Sequence, residues 1–308
     1  MTIQLNWFPD GEHSYLYLAQ EKGWFSDAGF DVAISAGSGS ELSAKLVAAR
    51  SSDFGLMGPD AMLAVVEQGG RLRSLGVIYD KTPVVIYALT SSGITSFSNL
   101  KGKTLGSLIG SNTYVQYKGL VEKGLIDGGA VNEQAVDGRT GPTLLDEGKI
   151  DALMYYTQYV DAFEAAAHQS STAVDIKKYH QIPFSKELNM YGMVLTTNDG
   201  VMTALGEKKV RKFVSVVQRA IREANANKDS AIDALAKKVE IKNKDRRVEL
   251  AKLESVLAMA CHGEPGCARA LEQSEDGWRE TSRTVKGLKI ISDESIWEKV
   301  FPSLNGLR

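Results

Sequence analysis

Charge of one sign is what this chain has least of. Thirty-six Lys and Arg stand against 38 Asp and Glu, a formal net charge of −2. No basic excess therefore points to nucleic acid or to an anionic membrane surface. No apolar run approaches the length of a membrane span. There is no Gly-x-x-x-x-Gly-Lys phosphate loop and no His/Cys set at metal-ligand spacing, so neither a metal nor a bound cofactor is expected. No catalytic triad can be deduced from four scattered histidines. Met1-Thr2-Ile3 opens directly on an expected strand, without a basic, apolar and small-residue leader. A cytosolic protein and a mature exported domain carrying an added Met both fit that start.

Cysteine is the next scarcity. Cys261 and Cys267 are the whole inventory and enclose His262-Gly263-Glu264-Pro265-Gly266. An even count across a short turn favours a disulfide and with it an oxidising compartment. Two reduced, half-buried thiols are the alternative. Zinc has only His262 as a further good ligand nearby.

What the chain does have is alternation. Ile3–Trp7, Asp31–Ser35, Phe54–Met57, Ser74–Tyr79 and Val84–Leu89 read as strands. Between them, Ser14–Lys22, Glu41–Arg50 and Asp60–Gln68 read as helices, with Leu42, Leu46 and Val47 on one face of the second. After a polar break at Ser91–Gly93 the cycle restarts. Thr104–Leu108, Glu133–Val136 and Ala152–Tyr155 are strands; Asn112–Lys123, Gly141–Glu147 and Tyr159–Ala167 are helices. Strand Tyr191–Thr197 precedes a helical remainder, in which Val210, Phe213, Val214, Val217 and Ile221 form an apolar stripe. At 308 residues the chain is long for one core. The expectation is an α/β fold of two similar lobes with a helical C-terminal portion buttressing the first. Residues 1–90 with 192–308 would form that lobe and 91–191 the second. The hinge falls near Leu89 and Gly192, with a ligand cleft between the lobes.

An ordered set of motifs adds to this reading: Trp7-Phe8-Pro9 with His13, Ala19-Gln20-Glu21-Lys22-Gly23-Trp24-Phe25, Ala28-Gly29-Phe30-Asp31-Val32, Asp53-Phe54-Gly55, Leu100-Lys101-Gly102-Lys103-Thr104, Gly148-Lys149-Ile150-Asp151-Ala152 and Val210-Arg211-Lys212-Phe213. The set resembles the nitrate/sulfonate/thiamine-pyrimidine group of ABC-transporter solute-binding proteins, over nearly the full length. The resemblance implies a two-lobed periplasmic-binding-protein type II fold and a monomer located in the periplasm or facing the outside. It implies a small-molecule ligand and a membrane permease of an ABC importer as partners. A fungal branch of the same group is a single-turnover enzyme that builds the thiamine pyrimidine from its own histidine and pyridoxal phosphate. Leu56–Leu63, where that histidine would fall, contains none, and the branch's cysteine-rich iron-site run is missing, so the chain is expected not to be an enzyme, with that synthase as the alternative. The ligand-sensing half of a transcription regulator shares the fold, but no helix-turn-helix precedes Ile3.

Ligand contacts in such folds come from strand carboxyl ends and the helix starts that follow. In the first lobe these are Trp7, Phe8, His13, Ser38, Gly39, Ser40, Asp60, Tyr79 and Asp80. In the second they are Ser111, Asn112, Asp137, Tyr155 and Tyr159, with Tyr191 on the hinge strand. Trp7 and Phe8 alternate on an expected strand, so one of them faces the cleft. Ser40, Asp60 and Ser111 also qualify as simple helix caps. Asp10, Glu12, Asp60, Asp80 and Asp137 lie in cleft loops against Arg139 as the sole cation there. An acidic, tyrosine-rich cleft suits a nitrogen heterocycle whose amino groups donate to carboxylates, such as a thiamine-precursor pyrimidine or a flavin-like compound. Sulfonate or nitrate would call for convergent cations instead.

Overall fold

The computed structural model describes residues 1–109, 111–138, 140–159, 179–240 and 246–301. Among the described residues ten strands form two sheets. The first contains β1 (Thr2–Gln4), β2 (Ala33–Ser35), β3 (Phe54–Met57), β4 (Leu72–Tyr79) and β10 (Met193–Asn198), in the order β2-β1-β3-β10-β4. The second contains β5 (Val84–Leu89), β6 (Thr104–Ser107), β7 (Asn132–Ala135), β8 (Ala152–Tyr156) and β9 (Tyr179–Pro183), in the order β7-β6-β8-β5-β9. Each sheet has three parallel strands followed by an antiparallel one, β10 in the first and β5 in the second. Both antiparallel strands are entered directly after the chain crosses between sheets.

That exchange moves one boundary. Val84–Leu89, assigned to the first lobe by the sequence pattern, pairs with Ala152–Tyr156 and Tyr179–Pro183 in the second sheet. The chain crosses before it, at 80–83, rather than near Leu89. The strand Tyr179–Pro183 is not visible in the sequence, because Ile182 is its one fully buried residue. The helix expected at Tyr159–Ala167 lies, after Tyr159, outside the described residues.

The core follows from the apolar patterning. The helix Glu207–Ala226 turns Val210, Phe213, Val214, Val217 and Ile221 inward. Phe213 stacks on Phe54 of β3 with ring centroids 3.7 Å apart, and Phe25 and Phe30 close around it at 5.5 Å. This helix and Lys228–Ala236 pack against Ser14–Glu21, holding the N-terminal turn in place. The helix Glu275–Gly287 departs from the expected buttress of the first lobe alone. Trp278, Val285 and Leu288 share an apolar cluster with Tyr117 and Leu120 of the second-lobe helix Asn112–Glu122. Cys261 and Cys267 are joined, their Cα atoms 4.0 Å apart. Among the described residues no helix is long and apolar enough to cross a membrane.

Candidate functional site

A cleft of about 700 Å³ opens between the carboxyl ends of the two sheets. Its first-lobe wall begins where β1 ends. The chain bends after Gln4 and runs through a loop to the short turn Gly11–His13, capped by the Asp10 carboxylate accepting from Glu12 N at 3.0 Å. Gly37 N and Gly39 N donate to the carbonyls of Trp7 and Asn6 at 2.9 and 2.7 Å. These two bonds tie the Ser38-Gly39-Ser40 loop to the first one. Gly39 has φ +136°, a conformation glycine adopts without a Cβ clash. The helix Ser40–Ala48 starts directly after it, and Ser40 Oγ accepts from Gly58 N at 3.0 Å.

The floor is polar and buried. Glu12, 2% exposed, accepts from Asn6 Nδ2 at 3.2 Å, Tyr79 Oη at 2.8 Å and Gln158 Nε2 at 3.1 Å. Asp60 opens the helix Pro59–Glu67; its carboxylate accepts from Ala61 N at 2.9 Å and Gln116 Nε2 at 3.3 Å. Burial pushes the Asp60 carboxyl above the ordinary aspartate value. At Gly58 side chains of both lobes approach the backbone: a Cβ there would stand 2.5 Å from Asp60 Oδ1 and 2.8 Å from Asn112 Nδ2. A larger residue would have to displace the ends of both.

Beside the floor is a second buried network. Tyr159 Oη donates to Asp10 Oδ2 at 3.0 Å, and Lys252 Nζ lies 3.3 Å from the same oxygen and 2.9 Å from Glu249 Oε1. His13 Nδ1 lies 3.3 Å from Asp10 Oδ1, and its Nε2 is paired with Asn6 Oδ1 at 2.9 Å. Burial raises the Asp10 pKa, but the His13 contact, Lys252 and the Tyr159 hydroxyl outweigh it and hold the carboxyl at about 2. Burial also works against protonation of His13, yet Asp10 and Glu12 raise it above its ordinary value. The bonds from Gln158, Tyr159 and Gln116 all cross from second-lobe elements to first-lobe carboxylates.

The second-lobe wall is tyrosine and aliphatic. Tyr155, Tyr156 and Tyr159 line the cleft, with Tyr155 and Tyr159 edge to face at 5.1 Å. Tyr155 Oη donates to Gly138 O at 2.7 Å, and burial pushes that phenol up to about 12. Ser111 caps the helix Asn112–Glu122, and Asn112 Nδ2 donates to Tyr156 Oη at 3.3 Å. Leu108, Ile109 and Val115 complete this wall.

Of the residues read from sequence, Trp7, Ser38, Gly39, Ser40, Asp60, Ser111, Asn112, Asp137, Tyr155 and Tyr159 line the cleft. Five do not. Phe8 points outward, 49% exposed, because the strand ends at Gln4 and alternation no longer governs it. His13 is fully buried and spent on Asn6 and Asp10. Tyr79 is buried and donates to Glu12. Asp80 is exposed on the crossing segment. Tyr191 packs edge-on against Trp278 at 5.7 Å. Arg139 lies outside the described residues. The lining lysine is instead Lys45, ion-paired to Glu41. Sequence reasoning also missed Asn6, Leu42 and Lys252; a Glu249–Lys252 pair three apart looks like any surface pair until it is packed against Asp10.

Helix starts favour anions, and three of them reach this cleft. Two carry their own acid in the first turn, Glu41 and Asp60; the third, Asn112–Glu122, has none. The start of Asn112–Glu122 thus has no acid of its own, and the Glu41 at the start of Ser40–Ala48 is shared with Lys45. Among the described residues no group of His, Cys, Asp and Glu is arranged to hold a metal ion.

Residues 10–231 match the family model described as NMT1/THI5 like. The chain belongs to that family. A 4-amino-5-hydroxymethyl-2-methylpyrimidine phosphate synthase of Saccharomyces cerevisiae is 29% identical over 228 residues, which is 71% of this chain and 65% of the yeast protein. The chain thus spans just under two thirds of that relative's length. The periplasmic aliphatic sulphonate binding protein SsuA of Escherichia coli superposes with a TM-score of 0.73 at 13% identity, covering 98% of this chain and 97% of its own. The alkanesulfonate-binding protein SsuA of Xanthomonas axonopodis pv. citri, bound to MOPS, gives 0.69 at 15% identity with coverages of 98% and 97%. The fold is accordingly the two-lobed periplasmic-binding-protein type. The expectation of a chain without enzymatic activity is overturned by the relatives. Several of them are named as pyrimidine phosphate synthases at about 29% identity over most of the chain.

Proposed function

We propose that the chain is a solute-binding protein that takes a planar, amino-bearing nitrogen heterocycle of the thiamine-precursor pyrimidine kind between its lobes. One observation carries this reading: Trp7 and three tyrosines line a cleft whose floor holds the Glu12 and Asp60 carboxylates, while its described lysine is ion-paired to Glu41. Flat rings supply stacking area, and buried carboxylates accept from amino donors. A membrane permease of an ABC importer is the matching partner, and a periplasmic or outward-facing location the matching compartment. The Cys261–Cys267 disulfide supports that location. A thermal-shift screen of amino heterocycles, vitamins and small anions tests the reading, since a ligand that binds only the folded chain raises its melting point. Amino heterocycles are expected to give the largest shifts; shifts confined to anions would overturn it.

A second reading, synthesis of the pyrimidine phosphate, is favoured by the names of the relatives. Pyridoxal phosphate, the co-substrate implied for that branch, would find one lysine in the described lining, the exposed Lys45 beside Glu41. Incubation with pyridoxal phosphate and ferrous iron followed by intact-mass measurement separates the two. Synthesis at the expense of the chain's own histidine lowers the mass; binding leaves it unchanged.

A further inference from the structure

A single heterocycle at the carboxylate floor leaves most of this cleft unfilled. Its volume of about 700 Å³ falls in the range of drug-sized ligands, several times what one six-membered ring occupies. The unfilled part has a direction. From Asp60 the lining continues along one face of the helix Pro59–Glu67 through Ala61, Ala64, Val65 and on to Gln68. That run extends ~10 Å beyond the floor at the helical rise. Leu42 from the helix Ser40–Ala48 and Ile109 and Val115 from the second lobe line the same cleft.

The exposure of these three side chains is the independent observation. Five large apolar residues are exposed among the described residues: Phe8, Leu42, Ile109, Val115 and Leu125. Leu42, Ile109 and Val115, at 44%, 56% and 38%, all line this one cleft. Leu42 belongs by periodicity to the inward stripe of its helix, yet the helix buries Ser40, Ser43, Ala44 and Val47 instead. Apolar surface gathered from both lobes beside a polar floor marks a place where an apolar group is covered.

We propose that the ligand of this cleft is two-part: an amino-bearing heterocyclic head on Asp60 and Glu12, and an alkyl or aryl arm covered by Ala64 and Val65 together with Leu42, Ile109 and Val115. This rests on the heterocycle reading above and adds the arm to it.

Calorimetric titration of an aminopyrimidine and of its butyl and benzyl derivatives tests it, in the unaltered protein and in the double variant Leu42→Ser with Ile109→Ser. Both positions are exposed, so an unchanged melting temperature verifies the variant's fold. Burying a methylene is worth up to roughly fourfold in affinity. The butyl derivative is therefore expected to bind about tenfold tighter than the bare ring, and the double variant to keep less than about threefold of that gain. A bare ring that binds with no gain from either arm, or a gain that survives in the double variant, overturns the arm alone. Failure of ring and derivatives alike overturns the heterocycle head and the two-part ligand with it.

Discussion

The two walls of the cleft share one strand order but not one construction. The first-lobe wall is fixed by polar bonds, two of them reaching across from the second lobe: Glu12 is held by Asn6, Tyr79 and the second-lobe Gln158, Asp60 by its helix start and the second-lobe Gln116, and Ser40 by Gly58 N. Few of those atoms can turn without leaving a buried group unpaired. The second-lobe wall presents ring faces and exposed aliphatic side chains, Tyr155, Tyr156, Tyr159, Ile109 and Val115. One wall sets direction through hydrogen bonds; the other sets area and shape. Substitutions of the buried polar groups should register mainly in stability, and substitutions of the cleft-lining rings and aliphatic side chains mainly in affinity.

The most severe break is Glu12→Ala. It strands the Tyr79 hydroxyl and two amide donors in a buried site, so unfolding in urea should show a loss of about 3 kcal/mol. Next is Asp10→Asn, read against pH. The Asp10 carboxyl titrates at about 2 in the folded chain, below its ordinary value near 4. Its stabilisation is therefore present above pH ~4 and lost as pH falls toward ~2. The stability gap between the unaltered protein and Asp10→Asn should be about 2 kcal/mol near neutral pH and close over that acid window. His13 has the opposite sign: its raised folded value gives stability that is present below its ordinary value and lost as pH rises through the folded one. Trp7→Ala sharpens the comparison from the affinity side. Losing the first-lobe ring should weaken heterocycle binding by about 1.4 kcal/mol, tenfold in Kd, by calorimetry. The smallest effect belongs to Phe8→Ala. Its half-exposed ring is off the cleft but packs edge-on against Trp7 at 5.4 Å, so stability and affinity should both stay within about 1 kcal/mol of the unaltered protein.

Much of the fold was legible because the buried strands advertise themselves. Phe54–Met57 and Val84–Leu89 are short apolar runs with turn residues at their ends, and their bounds in the structure coincide with those read from sequence. Tyr179–Pro183 is an edge strand of mixed polarity and carries no such mark. In the site, helix starts were legible from Ser, Gly, Pro and Asp, which is why Ser40, Asp60 and Ser111 were named. What was hidden depends on tertiary geometry. Alternation placed one of Trp7 and Phe8 toward the cleft without saying which; the backbone leaves the strand after Gln4, pairs with the 37–39 loop and puts Trp7 there. Leu42 follows the inward period and faces the cleft instead. Lys252 reaches Asp10 from a helix more than two hundred residues later, a contact no local pattern records.

The central claim is that buried carboxylates and ring faces select an amino heterocycle over a small anion. Titration of an aminopyrimidine, taurine and nitrate into one preparation by calorimetry tests it most directly. Saturable binding of the aminopyrimidine, at least tenfold tighter than either anion, is the predicted result. Tight binding of taurine or nitrate with no binding of the heterocycle would contradict the account.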